Sequence, residues 1–196
     1  MKKLSTCLFL LLFSLQTSSL ADDISDFQIE GMSVGDSLLD YFSEEEIKDN
    51  IQSTSFKDKK YSKFEIFEHY SLKTYNSVQI FFKPNDKRYT IYFVSGALFD
   101  ENIEIKNCKK KNEIAEEISK SFKDVKINDR GIYSHPIDKK SKVNSIYFFF
   151  KSGGYVKVAC VDYSKEIEDK WGWGDNVRVD ISTEEFGDWL NNASHE

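Results

Sequence analysis

Arginine and proline are nearly missing from this chain of 196 residues. Arginine stands only at Arg88, Arg130 and Arg178, and proline only at Pro84 and Pro136. So few guanidinium groups leave little scope for bidentate phosphate clamps. The formal charge is −6, from 27 basic and 33 acidic residues. That sign disfavours nucleic acid and anionic lipid as partners. The chain has no G-x-S-x-G elbow, no H-E-x-x-H pair, no P-loop and no dinucleotide fingerprint, so no cofactor is implied. His69, His135 and His195 are far apart in sequence and none has a second ligand type at metal spacing, so they read as ordinary surface histidines. Beyond the N-terminal segment no apolar run is long enough to span a bilayer.

The N-terminus reads as a secretory signal. Lys2 and Lys3 precede an apolar run from Leu8 to Leu15, and Ser19-Leu20-Ala21 is a small-x-small cleavage site. Cleavage is expected after Ala21, leaving residues 22–196 as one α+β domain. Leu4-Ser5-Thr6-Cys7 resembles a lipoprotein box, but it precedes the apolar run where such a box follows it, so lipidation is not expected. Losing Lys2 and Lys3 takes the basic residues from 27 to 25 against 33 acidic ones, a formal charge of −8. Lysine, asparagine, isoleucine and phenylalanine are abundant and alanine is rare, the bias of an AT-rich genome. With the signal, this points to a bacterial periplasm. Cys108 and Cys160 then remain, an even number in an oxidising compartment, and a disulfide between them is expected. The alternative is two free cysteines, one of them buried as a small apolar residue. Their spacing is wrong for CxxC redox chemistry, and zinc would need further ligands.

The stretch from Ser145 to Tyr163 organises the rest. Ile146-Tyr147-Phe148-Phe149-Phe150 is β-branched or aromatic, and Ser152-Gly153-Gly154 suits a tight turn. Val156, Val158 and Cys160 share one face of the return strand, and Tyr155, Lys157 and Ala159 the other. The first strand is apolar on both faces, which places it inside a sheet. Further strands are expected at Phe64–Tyr70, at Val78–Phe82 paired with Tyr89–Val94, with Ser95-Gly96 as a bulge or end, and at Val177–Ile181. Ser33 with Asp36, followed by Val34, Leu38 and Phe42, predicts a first helix, and Ser43 with Glu46 a second. Cys108 opens a third, with Ile114, Ile118 and Phe122 on one face and Lys109-Lys110-Lys111 as a solvated face or turn. Asp129–Ser141 reads as an irregular connection with a short strand near Ile132. Ser182 with Glu185, and Ile181 with Phe186, predict a C-terminal capping box and hydrophobic staple. The fold class expected is α+β in two layers, an antiparallel sheet of about five to seven strands with helices packed on one face. Helix then strand pair occurs twice, a hint of duplication in pattern rather than in sequence.

For chemistry, Trp171-Gly172-Trp173-Gly174 stands out. Two indoles in a glycine-rich loop suit stacking on a sugar or anchoring a partner, and at least one ring is expected to be exposed; the bland alternative is that both fold back over the sheet. Asp162 is a minor candidate at a strand end, although a turn carboxylate is the simpler view. A carboxylate pair or a histidine beside a serine could still be assembled in three dimensions.

Two sets of residues carry resemblances. Gly31-Met32-Ser33, leading into an amphipathic helix and later strands, is similar to the helix-first envelope domains of the outer-membrane assembly lipoprotein and β-lactamase-inhibitor-like group. The sequence IEGMSVGDSLLDYFSEEEI from Ile29 to Ile47, the lone Cys108 and Cys160, and EFGDWLN from Glu185 to Asn191 resemble a family of small secreted proteins from AT-rich bacteria. That resemblance spans most of the mature chain but brings no activity and no site residues. The function expected is therefore a non-enzymatic binding or accessory module of the cell envelope, with an envelope protein or a glycan as partner. The alternative is an envelope hydrolase whose site forms only on folding.

Overall fold

Period-two alternation of apolar and polar residues dominates the second two thirds of the chain and produces its strands. The computed structural model describes residues 23–54 and 56–193; the expected signal segment and His195 lie outside them. Eight strands form one antiparallel sheet: β1 (Ile51–Gln52), β2 (Ser62–Phe67), β3 (Ser77–Phe82), β4 (Phe93–Phe99), β5 (Lys126–Ser134), β6 (Lys142–Phe149), β7 (Tyr155–Asp162) and β8 (Asn176–Ser182). Their spatial order is β1-β2-β3-β4-β8-β7-β6-β5. Helices α1 (Glu44–Asp49) and α2 (Lys109–Ser121) each precede a run of four strands; α3 (Lys165–Trp171) joins β7 to β8, and α4 (Glu184–Asn192) follows β8. Each half is thus a helix and a four-stranded run. The last strands of the two runs meet antiparallel at the centre, with Gly96 opposite Val179. The two halves share this order of elements, with four strands in each run where a strand pair was expected.

The sheet buries both faces. On the first, Phe64, Ile80, Val94, Val179, Val158 and Phe148 pack under Ile47 of α1, Ala115 and Ile118 of α2, Phe122 just after it, and the N-terminal residues Ile29, Met32, Leu38 and Phe42. On the second, two separate clusters form. Phe186 and Trp189 of α4 pack on Tyr61, Phe81 and Phe93. Ile167 of α3 packs with Val143, Ala159, Val161 and Tyr163. The expectation of helices on one face and of five to seven strands is corrected on both counts. The reason is local: β3, β4, β6 and β7 each carry apolar side chains on both faces, so the second face also needs cover.

The capping box of α1 forms as expected, Ser43 Oγ accepting from Glu46 N–H at 3.2 Å and the Glu46 carboxylate accepting from Ser43 N–H at 2.8 Å. The first predicted helix does not form. Val34, Leu38 and Phe42 are buried, but the segment is a turn followed by a 3₁₀ turn at Leu38–Asp40. Gly35 has φ +91°, which no helical residue takes, and the backbone is spent elsewhere: Gly35 N–H donates to Ile91 O, Ile91 N–H to Asp36 O and Leu38 N–H to Tyr89 O. The same docking takes Tyr89–Ile91 out of the strand expected there, so β4 starts at Phe93. Gly96 neither bulges nor ends β4. The Tyr75 ring lies on it, and a Cβ at Gly96 would come within 2.6 Å of that ring. Within Asp129–Ser141 the strand expected near Ile132 forms as the second part of β5, an edge strand with a bulge between Asp129 and Gly131, and from His135 the connection is irregular. The glycine-rich loop expected at Trp171–Gly174 begins inside a helix, since α3 ends on Trp171 with Gly172 in the left-handed region. At α4 the cap is Thr183, whose Oγ1 accepts from Phe186 N–H at 3.2 Å, one residue later than expected; Glu185 reaches Lys60 and Lys83 instead.

Cys108 caps α2, Cys160 lies in β7, and the two are joined, with Cα atoms 6.5 Å apart and 52 positions apart in sequence. Lys111, one turn into α2, is not solvated: it is buried and its Nζ donates to Asn144 Oδ1 at 2.8 Å. The staple therefore ties α2 to the sheet beside a buried polar contact. Replacing both cysteines by alanine is expected to lower stability by roughly 4 kcal/mol, the chain-entropy value for a loop of this length, read as a shift in the urea midpoint of the oxidised wild type against the variant. Gly96→Ala should cost about 1–3 kcal/mol by overpacking, and much of that cost should vanish in a Tyr75→Ala background, giving a measurable coupling energy in a double-mutant cycle.

Candidate functional site

Between α3 and α4 the second face of the sheet carries a continuous polar band. Alternation puts Glu65 (β2), Gln79 (β3), Ser95 (β4), Asp180 (β8), Lys157 (β7) and Tyr147 (β6) in one cross-strand row, each opposite the next. Lys63 Nζ donates to Glu65 Oε2 at 2.7 Å, and Gln79 Nε2 donates to the other carboxylate oxygen. Arg178 Nη2 donates to Ser95 Oγ at 2.8 Å and its Nε to Asp180 Oδ1 at 3.0 Å. Ser95 Oγ donates to Asp180 Oδ1 at 2.6 Å, and Lys157 Nζ to Asp180 Oδ2 at 3.1 Å. The band ends in tyrosines: the Arg130 guanidinium lies 4.5 Å from the Tyr133 ring and 6.0 Å from the Tyr147 ring.

Asp180 is the hub, and it is 4% exposed. Burial pushes its carboxyl up, but Arg178 and Lys157, with the Ser95 hydroxyl, outweigh burial and hold it at about 2. Burial pulls the Lys157 ammonium down, and Asp180 and Tyr147 more than restore it. Every charge in this network has a partner, which is the condition for keeping ions out of water. The band holds the sheet's middle strands in register and leaves no reactive group free.

The second feature lies at the end of α3. Trp171 is 41% exposed and Trp173 36%. Their ring centroids are 4.8 Å apart, Trp173 meets Tyr163 edge-on at 5.3 Å, and His135 stands 5.5 Å from Tyr163. Lys170 Nζ sits 4.7 Å from the centre of the Trp171 ring. Beside them is an open cleft of about 410 Å³ lined by Glu101, Glu168, Gly172, Trp173, Gly174 and Asp175. Asp175 accepts from Tyr163 N–H at 2.7 Å. Burial raises its carboxyl above the usual range in spite of that bond, with repulsion from Asp162, Glu168 and Asp100 adding to the effect. Positioning follows from local chemistry. Gly172, at φ +67°, stops α3 and turns the chain so that the two indoles converge from either side of it.

Trp171 and Trp173, singled out by the sequence, are thus brought together, and both rings reach solvent. Cys108 and Cys160 are joined in the structure. Asp162 stands at the end of β7 opposite Lys142 and near Asp175, outside the cleft lining. His69 does lie beside a serine, Nδ1 2.7 Å from Ser71 Oγ, but the contact closes a tight turn in which Leu72 N–H donates back to His69 O. Sequence reasoning missed the band altogether. Its signal was present, since Arg178 and Asp180 alternate with Val177, Val179 and Ile181, but a charged face on a strand ordinarily means a solvated one. It also missed Glu101, Glu168 and Asp175 as neighbours, because they come from two different connections, after β4 and between β7 and β8.

The linkage at Asp180 has a definite sign. Its folded carboxyl is depressed to about 2, so its stabilising contribution is complete above about pH 4 and is lost as pH falls toward 2. The wild type should lose about 2 kcal/mol from this group across that window. Asp180→Asn should be less stable at neutral pH and should lack that share of the acid slope, measured as urea midpoints at stepped pH. No protein-family model, curated protein or solved structure matches the chain.

Proposed function

We propose that the chain is an exported, periplasmic binding or accessory module of the bacterial cell envelope, without catalytic activity, and that Trp171 and Trp173 form its contact surface. The observation that carries this is the paired, half-exposed indoles at the rim of an open cleft. Large rings left in water are a standing free-energy cost that a bound partner relieves, and tryptophan is prominent among residues that dominate binding energies. The partner classes that suit such a face are an envelope protein or a glycan. The Cys108–Cys160 disulfide fits an oxidising compartment.

A second reading has one observation in its favour. Asp175, with its carboxyl raised, faces the same cleft as Glu101 and Glu168, and a raised carboxyl beside others is what a glycoside-cleaving acid requires. The cleft is open and shallow, which suits a contact surface better than an enclosed reaction site.

Cross-linking in intact cells followed by purification of the tagged protein should recover one recurring envelope component. Replacing Trp171 and Trp173 by alanine should abolish its recovery while leaving the circular dichroism spectrum unchanged. Release of product from cell-wall polymers by the wild type, lost in Asp175→Asn, would instead establish the hydrolase.

A further inference from the structure

We infer that the outer face of β5 and β6 binds an acidic sugar of a glycan chain, with its carboxylate on Arg130 and its ring on Tyr147 and Phe149. This contact uses neither tryptophan and goes beyond the binding-module reading. It starts from the bulge in β5. Asp129 stands opposite Ile146 and Gly131 opposite Ser145, so Arg130 is the extra residue with no partner in register. Gly131 takes φ +60°, and its N–H donates to Asp129 Oδ1 at 2.9 Å, which holds the bulge in place. A bulge re-aims a side chain. This one lays the Arg130 guanidinium 4.5 Å from the centre of the Tyr133 ring and 6.0 Å from that of Tyr147. Tyr133 is itself fixed, its hydroxyl accepting from Ser145 Oγ at 3.2 Å.

The cation is positioned but not paired. Arg130 is exposed, and among the described residues no carboxylate lies within ion-pair distance of it. Stacking occupies the flat face of a guanidinium and leaves open its edge, which carries the N–H donors. Lys126, opposite Phe149 in register, is also exposed and makes no ion pair among the described residues. Two unmatched cations, on a chain with 33 acidic residues against 27 basic ones, are complementary to an anion. Beside them Tyr147 and Phe149 present rings 5.8 Å apart and within 9° of parallel, with Phe149 37% exposed. Neither ring belongs to the apolar clusters beneath α3 and α4. The occupant follows from these two features together. A planar carboxylate takes two parallel hydrogen bonds from a guanidinium fork. The C–H face of a sugar ring carries partial positive charge and packs on the negative face of an aromatic ring. A hexuronate joins both groups in one residue. An acidic peptide offers carboxylates without a flat face to stack, and a polyphosphate chain is held by more cations than these two.

Calorimetric titration of the purified protein, with its disulfide formed, tests this against three probes: hexagalacturonate, a neutral N-acetylglucosamine hexasaccharide and a hexaglutamate peptide. Hexagalacturonate should bind saturably, more weakly as salt is raised, and about tenfold or more tighter than either of the others. Arg130→Ala and Phe149→Ala should each weaken that binding about tenfold. Arg130→Lys keeps the charge but loses the bidentate fork, and should weaken it as well. Arg130 and Phe149 are exposed, so these variants should keep the circular dichroism spectrum and urea midpoint of the wild type. No saturable binding of hexagalacturonate, or unchanged binding by Arg130→Ala, overturns the inference. Equal binding of hexaglutamate overturns it in favour of an acidic peptide, and equal binding of the neutral hexasaccharide removes the role of charge and overturns it too. None of these results bears on the binding-module reading, which fails separately if the tryptophan variants retain their cross-linked partner.

Discussion

The antiparallel pairing of β4 with β8 is what makes one protein of two halves. Each half by itself is a short helix and a four-stranded run with an open edge and two apolar faces. Joined from Phe93 opposite Ser182 to Phe99 opposite Asn176, they become a single sheet whose centre has no free edge. The remaining edges are the two-residue β1 and the bulged β5, a short edge and a twisted one, both ordinary ways of discouraging further pairing. Everything else is an answer to the problem of covering a sheet this wide on both sides.

The two sides are covered differently. The N-terminal segment, α1 and α2 close the first face, and the disulfide fixes α2 to β7. On the second face α3 precedes β8 and α4 follows it, so the two helices lie toward opposite ends of that strand. Neither reaches the middle. The middle is therefore neither dry nor fully wet, and the residues there are charged but paired around Asp180. Replacing such a network by apolar residues is often neutral in stability, whereas removing one member is costly, so its clearest use here is to specify register across β4, β8 and β7.

The two charged regions of this face differ in a way that bears on function. The band is self-satisfied, with Arg178 and Lys157 closing on Asp180 and Lys63 on Glu65. The cleft by Trp173 is less closely knit: its carboxylates come from the connection after β4, from α3 and from the loop after it, with Lys165 reaching Glu168 at 3.4 Å and Tyr163 N–H donating to Asp175 at 2.7 Å.

Sequence alone determined what depends on near neighbours. The α1 capping box, the stripe of Ile118 and Phe122 on α2, the faces of β7 and the turn at Gly153-Gly154 are all set within a few residues, where propensity and periodicity act. Burial was also legible where geometry was not, for Val34, Leu38 and Phe42 are in the core although they do not form a helix. Tertiary structure decided the rest, because those outcomes turn on partners distant in the chain. The hydrogen bonds of Gly35 and Leu38 go to Ile91 and Tyr89, the Gly96 backbone lies under Tyr75, and Lys111 is buried against Asn144. Alternation could place Arg178 and Asp180 on one face of β8, but only the neighbouring strands brought Ser95 and Lys157 against Asp180 and buried it. The pair Trp171 and Trp173 was visible as a motif; its three carboxylate neighbours became a site only when separate connections converged.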